Sequence, residues 1–188
     1  MDTTKNSICK TDVLIDTLLT FFKDNYNFEI FSSVINKKTK VSLRILDWLV
    51  TNYSKKNNSI IETFENNTLT TFKIYLDYKN QLRAYSKNNF DPFCRKNRII
   101  IDPDIMKVVP RKTNDRCFST TIGQMNFFRW VIKNNIINYL LLNIDAIEND
   151  MIDIANSNKN KNNKKRCCLS ENNYKKMSIY HGPIVVKF

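Results

Sequence analysis

The sequence contains very little glycine and histidine, and these shortages exclude several kinds of active site. Gly123 and Gly182 are its only glycines, so it has no glycine-rich loop to hold the phosphates of a nucleotide through backbone N–H groups. Its single histidine, His181, stands beside Gly182, which disfavours covalent catalysis by a cysteine–histidine pair. We therefore expect a binding protein that is not an enzyme.

Cysteines at metal-binding spacing are also missing. The chain has no Cys-x-x-Cys motif, and the adjacent Cys167 and Cys168 do not match the spacing of structural zinc sites. Cys94, Cys117, one of these two and His181 form a conceivable ligand set, but buried thiols are the simpler interpretation. We expect neither a bound metal nor another cofactor.

Long apolar runs are absent from the sequence as well. No stretch of about 18 apolar residues is present to cross a bilayer, and residues 1–6 lack the order of charges and apolar residues that marks a signal peptide. Five cysteines, an odd number, indicate reduced thiols in such a chain. These observations predict an intracellular protein with no membrane partner.

Positive charge, by contrast, is abundant and unevenly distributed. Lys and Arg number 30 against 18 Asp and Glu, and the resulting net charge of +12 favours anionic partners. The excess is concentrated in three blocks, with +5 over 37–60, +5 over 78–100 and +7 over 156–188. Asn and Lys are both frequent in proteins of A/T-rich genomes, so the clustering is more informative than the total.

Hydrophobic periodicity predicts a helix-dominated α+β fold. With 42% hydrophobic residues, the chain can bury a core. Helices are predicted over 11–23, 28–36, 43–50, 77–87, 121–133 and 136–155. In these ranges apolar residues recur at helical spacing, or residues typical of helix ends mark the boundaries. Ser42 and Thr121 are expected to cap the helices that follow them, Thr121 in a capping box with Gln124.

Short extended segments predict a small β-sheet within a single domain. The sheet is expected from 60–76, 98–102 and 184–188, with a hairpin turn at Asn66 and Asn67, whereas 103–117 is predicted to be an exposed loop. The predicted organisation is a compact core over 1–155, a disordered Asn/Lys-rich basic loop over 156–170, and a C-terminal segment over 171–188 whose strand docks on the core.

The segment 75–98 carries the strongest indication of function. Lys79, Arg83 and Lys87 follow one another at i, i+4 and i+8, which places them in one stripe on a helix. Three more cations follow in the chain, namely Arg95, Lys96 and Arg98. Nucleic acids need cations that meet phosphates on a rigid scaffold. The aromatic residues of the segment could stack on unpaired bases, although a place in the core is the favoured interpretation.

Two further basic groups are expected to assist. Lys55 and Lys56 follow the helix that Ser42 begins, where they also suit the negative end of a helix dipole. The run at 159–166, which includes Lys164, Lys165 and Arg166, could contact phosphates as a flexible arm, be a nuclear-localisation patch or be a plain solvated loop. These alternatives remain open for both groups.

Three stretches of the sequence resemble a known family. They are VSLRILDWLVTNY at 41–53, YKNQLRAYSK at 78–87 running into FDPFCR at 90–95, and TTIGQMNFFRW at 120–130. Together they resemble small uncharacterised proteins shared by nucleocytoplasmic large DNA viruses, and the A/T-rich composition resembles that of mimivirus-like giant viruses. The resemblance covers about 40–155 and transfers no catalytic residue. It implies a place in a cytoplasmic viral factory or in the virion.

These observations together predict a non-enzymatic nucleic-acid-binding protein of a large DNA virus. We expect it to contact the phosphates of DNA or RNA, with DNA favoured, in a largely sequence-independent way. The expected role is in genome handling, transcription or the virion. The alternative is a structural or assembly protein of the virion or transcription machinery, whose basic face binds an acidic viral protein.

Overall fold

The computed structural model describes residues 10–65, 68–112 and 115–172, with backbone alone at 63–65, 68–70 and 159–172. The chain divides into two compact units, Met1–Glu148 and Asn149–Phe188. The elements in chain order are α1 (Lys10–Phe22), α2 (Asn25–Ile35), α3 (Leu43–Trp48), a π-helical turn (Leu49–Tyr53), α4 (Ser54–Asn57), β1 (Ile60–Glu65), β2 (Thr68–Lys73), α5 (Ile74–Phe90), β3 (Arg98–Asp102), β4 (Lys107–Val109), β5 (Phe118–Thr121), α6 (Ile122–Lys133), α7 (Ile136–Leu142) and α8 (Ile144–Asn172). The predicted helix-dominated α+β fold is confirmed.

Local capping chemistry explains where two of the helices begin. The Ser42 hydroxyl accepts a hydrogen bond from the Ile45 N–H at 3.2 Å, and the Thr121 hydroxyl accepts one from the Gln124 N–H at 3.1 Å, so both predicted caps are confirmed. The reciprocal half of the predicted capping box is not formed, because the Gln124 side chain accepts a hydrogen bond from the Thr120 hydroxyl instead.

Helix α5 is longer than the sequence predicts, and it is interrupted. It begins at Ile74 rather than near Asp77, so the strand expected over 72–76 ends at Lys73. Ser86 has φ 64° and ψ 163°, which breaks the helix near its C-terminal end. A serine in this conformation is strained. Such a conformation persists where the surrounding structure determines the path of the chain.

The described strands form two separate sheets, and the prediction of one sheet joining 60–76 with 98–102 is wrong. Strand β1 pairs antiparallel with β2, while β4, β3 and β5 form an antiparallel sheet in that spatial order. The exposed loop expected over 103–117 contains β4, a strand too short to show a period in the sequence. The strand expected at 184–188 lies outside the described residues.

Aromatic residues build the core of the first unit, where α5 packs on α6. Phe90, Phe127 and Trp130 are buried with Tyr78, and their ring centroids lie 5.7 to 6.4 Å apart. Gly123 permits the close approach of the two helices. A Cβ at this position would stand 2.8 Å from the Asp91 carbonyl oxygen. The connection from α5 to β3 is thereby held against the start of α6.

The second unit begins at Asn149, inside α8, whereas the sequence predicts a core that extends to 155. The backbone of α8 continues through 156–170, for which the sequence predicts a disordered loop. The physical reason is that this run contains neither Gly nor Pro and extends a helix that is already nucleated, so each added residue has only to propagate it. Residues 173–188 lie outside the described part of the chain.

Candidate nucleic-acid interface

One group of predicted cations gathers along the N-terminal part of α5. Tyr75, Lys79 and Arg83 follow one another at four-residue spacing, so they share one face of the helix, and both cations are exposed. Lys55, from the last turn of α4, places its Nζ 5.8 Å from the centre of the Tyr75 ring, a cation–π contact. We call Lys55, Tyr75, Lys79 and Arg83 the α5 stripe. Lys56 is exposed and adjacent to it in sequence.

Helical spacing does not tie Lys87 to the α5 stripe, although the sequence predicts one stripe of Lys79, Arg83 and Lys87. The non-helical backbone of Ser86 stands between Arg83 and Lys87, so the i+4 relation no longer fixes their relative direction. The Lys87 Nζ lies 3.5 Å from a carboxylate oxygen of Asp91, and the lysine side chain is 79% exposed. An ion pair this exposed contributes little to stability, but it offsets the positive charge locally.

A second group of predicted cations meets at the start of α6. Arg95, from the α5–β3 connection, and Arg98, the first residue of β3, both line a cavity of about 300 Å³. We call it the arginine cavity. Its other lining residues are Ile35, Pro92, Phe93, Cys94, Ser119, Thr120, Thr121 and Gln124. Lys96, exposed on the same connection, is not among them.

The arginine cavity has the electrostatic character of an anion site. No lining residue is acidic, and neither arginine forms an ion pair within the described residues. The N-terminal end of α6 adds the positive end of a helix dipole, because the first N–H groups of a helix lack intrahelical acceptors. Hydroxyl and amide groups, which also bind phosphate oxygens, complete the lining at Ser119 and Gln124.

The aromatic residues of this region divide into core and surface. Tyr78 and Phe90 are buried, and the ring of the half-buried Tyr85 stacks on Phe90, which confirms the interpretation that these residues belong to the core. The Tyr85 hydroxyl accepts a hydrogen bond from Arg129 at 3.1 Å. Phe93, in contrast, is 52% exposed and lines the arginine cavity, so its ring is accessible to a ligand bound there.

Sequence reasoning missed two carboxylates that lie close to this aromatic core. Burial, reinforced by the negative charge of Asp91, raises the pKa of Asp47 to about 6. Burial and the same two carboxylates also raise the pKa of the Tyr78 phenol. Asp47 and Asp91 are 44 residues apart, so only the packing of α3 near the α5–β3 connection brings their charges together.

The remaining predicted contacts belong to α8. Lys164, Lys165 and Arg166 lie on this helix within the second unit, and their side chains are outside what the structure describes. Their contribution to binding therefore stays a prediction.

Cys94 and Cys117 are the cysteines whose side chains the structure describes, and both are thiols. Cys94 lines the arginine cavity and its Sγ donates a hydrogen bond to Asn88 Oδ1 at 3.6 Å, whereas Cys117 is buried. Within the described ranges, no three His, Cys, Asp or Glu side chains are grouped as metal ligands would be. No helix in that part of the chain combines the length and apolarity needed to traverse a bilayer.

Comparison with known proteins gives a family but no activity. Residues 3–183 match the model of a family of unknown function, DUF7197. The uncharacterized protein L507 of Acanthamoeba polyphaga mimivirus is 39% identical over 151 residues, which make up 79% of this chain and 56% of that protein. The chain thus spans little more than half the length of this relative. No solved structure matches it. The resemblance to an uncharacterised family of mimivirus-like giant viruses is confirmed.

Proposed function

We propose that this chain, which belongs to the DUF7197 family of unknown function, is a non-enzymatic nucleic-acid-binding protein that contacts phosphates without reading sequence. The observation that carries the proposal is the arginine cavity. There, two arginines from separate elements and the positive end of α6 face one space without an acidic lining residue. Arginine pairs with phosphate through two parallel hydrogen bonds, so this arrangement suits a backbone phosphate.

The α5 stripe supplies a second set of contacts. Lys79 and Arg83 stand about 6 Å apart along the helix axis, and Lys55 extends the group to the end of α4. The arginine cavity lies beyond the other end of α5, whose 17 residues correspond to about 25 Å at 1.5 Å per residue. At about 3.4 Å per base pair, a duplex along α5 would span roughly seven base pairs between the two sites.

The exposed ring of Phe93 suits single-stranded nucleic acid as an additional ligand. A base unstacked from its neighbours can pack on this ring while its phosphate contacts Arg95 or Arg98, and such stacking contributes about 1–3 kcal/mol per base. A duplex offers no such base. We therefore expect Phe93→Ala to weaken the binding of single strands more than that of duplexes.

A salt titration of DNA binding tests the proposal. Fluorescence anisotropy with labelled duplex and single-stranded DNA of matched length should show affinity that falls steeply between about 50 and 200 mM salt. Arg95→Gln with Arg98→Gln removes two phosphate contacts, and the slope of log K against log salt for the duplex should become shallower by about 1.8.

The matched control is Lys10→Gln with Lys23→Gln, which removes the same charge from exposed positions at the two ends of α1. It should leave the slope close to that of the unaltered chain. Equal changes in both double variants would mean that only total charge matters. Absence of binding at low salt, or affinity indifferent to salt, would refute the proposal and favour an acidic protein as the partner of the basic surface.

The viral context of the family gives the proposed function its setting. A sequence-independent phosphate binder suits genome handling, transcription or packaging in the cytoplasmic factory or the virion of a large DNA virus. Immunofluorescence of infected cells should show the protein together with viral DNA in the factory. Its exclusion from DNA-containing regions would contradict this part of the proposal.

A further inference from the structure

A second cavity lies at the opposite end of α5 from the arginine cavity. Its volume is about 420 Å³, within the range of about 300–1,000 Å³ typical of small-molecule sites. It lies where the end of α4, the edge of the β1–β2 hairpin and the first turn of α5 meet. The lining residues are Ser54, Asn58, Ser59, Ile60, Lys73, Tyr75 and Leu76. We call it the serine cavity.

Two buried hydroxyl groups of the serine cavity have no hydrogen-bond partner. Ser54 is 1% exposed and Ser59 is 6% exposed, and the Oγ of each is unsatisfied within the described part of the structure. Buried polar groups are nearly always paired, because an unpaired one loses its hydration without compensation. Both serines line the cavity, so a ligand bound there would meet two residues whose hydroxyls lack partners.

The first turn of α5 also lines the serine cavity. Within the described residues no side chain caps α5, and Tyr75 and Leu76 belong to its first turn, whose N–H groups have no acceptor inside the helix. The Ile74 N–H is already bonded to the Ser59 carbonyl oxygen at 3.2 Å, which fixes the start of α5 against the serine cavity. This helix terminus therefore presents donors and the positive end of its dipole.

The charged residue that lines the serine cavity is positive. Lys73 lines it, and Lys55 lies over the Tyr75 ring that forms part of its wall. The C-terminal end of α4 contributes carbonyl dipoles of the opposite sign, which Lys55 and Lys56 in its last turn offset. None of the lining residues is acidic. Hydroxyls, backbone N–H groups and an ammonium group together match the acceptors of a phosphate.

We propose that the serine cavity binds a phosphate monoester, held by the Ser54 and Ser59 hydroxyls, the first turn of α5 and Lys73. This site does not depend on the proposed nucleic-acid function, since none of these residues belongs to the arginine cavity or to the cations of the α5 stripe. The phosphate has two sources of the same chemistry, a free mononucleotide or the 5′-terminal phosphate of a strand.

Isothermal titration calorimetry with AMP and with inorganic phosphate tests the site. Binding of AMP should raise the unfolding temperature of the full chain. Ser59→Ala and Lys73→Gln should each weaken AMP binding about tenfold or more, the effect of losing a hydrogen bond to a charged group. Lys107→Gln, an exposed lysine of β4, is the matched control and should leave AMP affinity unchanged.

Ser54→Ala separates a binding role from a packing defect. It should leave the ligand-free protein equally stable or slightly more stable, because it removes an unpaired buried hydroxyl, while it weakens AMP binding. Tighter binding of a 5′-phosphorylated oligonucleotide than of its 5′-hydroxyl counterpart, lost in Ser59→Ala, would identify a strand end as the source. Equal binding of the two oligonucleotides with retained AMP affinity would identify the mononucleotide.

The proposal is overturned if neither AMP nor inorganic phosphate binds, or if the serine and lysine variants bind AMP as the unaltered chain does. Its failure is distinguishable from that of the nucleic-acid proposal. Arg95→Gln with Arg98→Gln should keep full AMP affinity, and Ser59→Ala should keep the salt slope of duplex binding.

Discussion

Replacing Asp47 by asparagine tests the electrostatic description of the region between α3 and the α5–β3 connection. The Asp47 carboxylate is partly buried, and burial, with the charge of Asp91 as the second cause, raises its pKa from 3.8 to about 6. Asparagine keeps the shape of the side chain and removes both the charge and its repulsion by Asp91. The variant should therefore be more stable than the unaltered chain wherever Asp47 is ionised.

The direction of the pH dependence follows from the raised pKa. The folded state binds the Asp47 proton more tightly than the unfolded state, so ionisation of this group costs no stability below pH 3.8, where both states are protonated, and opposes folding increasingly as the pH rises to about 6. A shift of this size corresponds to about 3 kcal/mol at 1.36 kcal/mol per pH unit. Because Asp47 is partly exposed and solvent screens its charge, we halve this value to about 1.5 kcal/mol.

Urea unfolding at a series of pH values, followed by tryptophan fluorescence, measures the effect. Asp47→Asn should raise the free energy of unfolding by about 1.5 kcal/mol at neutral pH, and this gain should disappear as the pH falls to about 4. Asp16→Asn, at an exposed carboxylate of α1, is the control and should show no comparable pH-dependent gain. Destabilisation by Asp47→Asn at neutral pH, or a gain that does not change with pH, would refute the reasoning.

Three further predictions concern α6, through its N-cap and its contact with α5. Gly123→Ala should lower the unfolding temperature, with a loss of about 1–3 kcal/mol, because its Cβ would meet the Asp91 carbonyl oxygen at 2.8 Å; unchanged calorimetric melting would contradict the packing. Thr121→Ala should cost about 1 kcal/mol in urea unfolding, and Thr121→Ser should recover most of it if capping is the cause. Asn126→Ala should cost about 2 kcal/mol or more by circular dichroism melting, because the buried amide accepts a hydrogen bond from Arg129 at 2.7 Å and donates one to the Asn89 carbonyl oxygen at 2.9 Å; Asn126→Asp, which keeps the acceptor but sets a carboxylate against that carbonyl oxygen, should destabilise the protein as well.

Much of the helical framework could be predicted because its causes are local. The caps at Ser42 and Thr121 involve neighbours three residues away, and α1 differs from its predicted range by one residue at each end. The break at Ser86 was not predictable, because its positive φ is compatible with serine only where the rest of the fold imposes it. The separation of the two sheets was missed for a similar reason, since strand pairing depends on contacts distant in sequence.

In the candidate interface, too, some features could be predicted from the sequence and others could not. Exposure of Lys79 and Arg83 followed from helical spacing, whereas the broken helix at Ser86 and the Lys87–Asp91 ion pair did not. The contact of Lys55 with Tyr75 joins α4 to α5, and no sequence period encodes it. No sequence pattern indicates the serine cavity. Two serine hydroxyls become candidate ligand groups only where the fold buries them without hydrogen-bond partners.

The sequence by itself determined the sign of the charge, its clustering and the helical content, because composition and spacing of three to four residues encode these properties directly. It also identified the viral family, through the resemblance of its stretches at 41–53, 78–95 and 120–130. Only the tertiary structure decided which cations share a surface. Arg95 and Arg98 meet at the start of α6, and Lys55 reaches the first turn of α5, because helix packing and strand pairing bring together groups that the chain keeps apart. A binding surface is a property of such long-range packing, and local sequence patterns do not contain it.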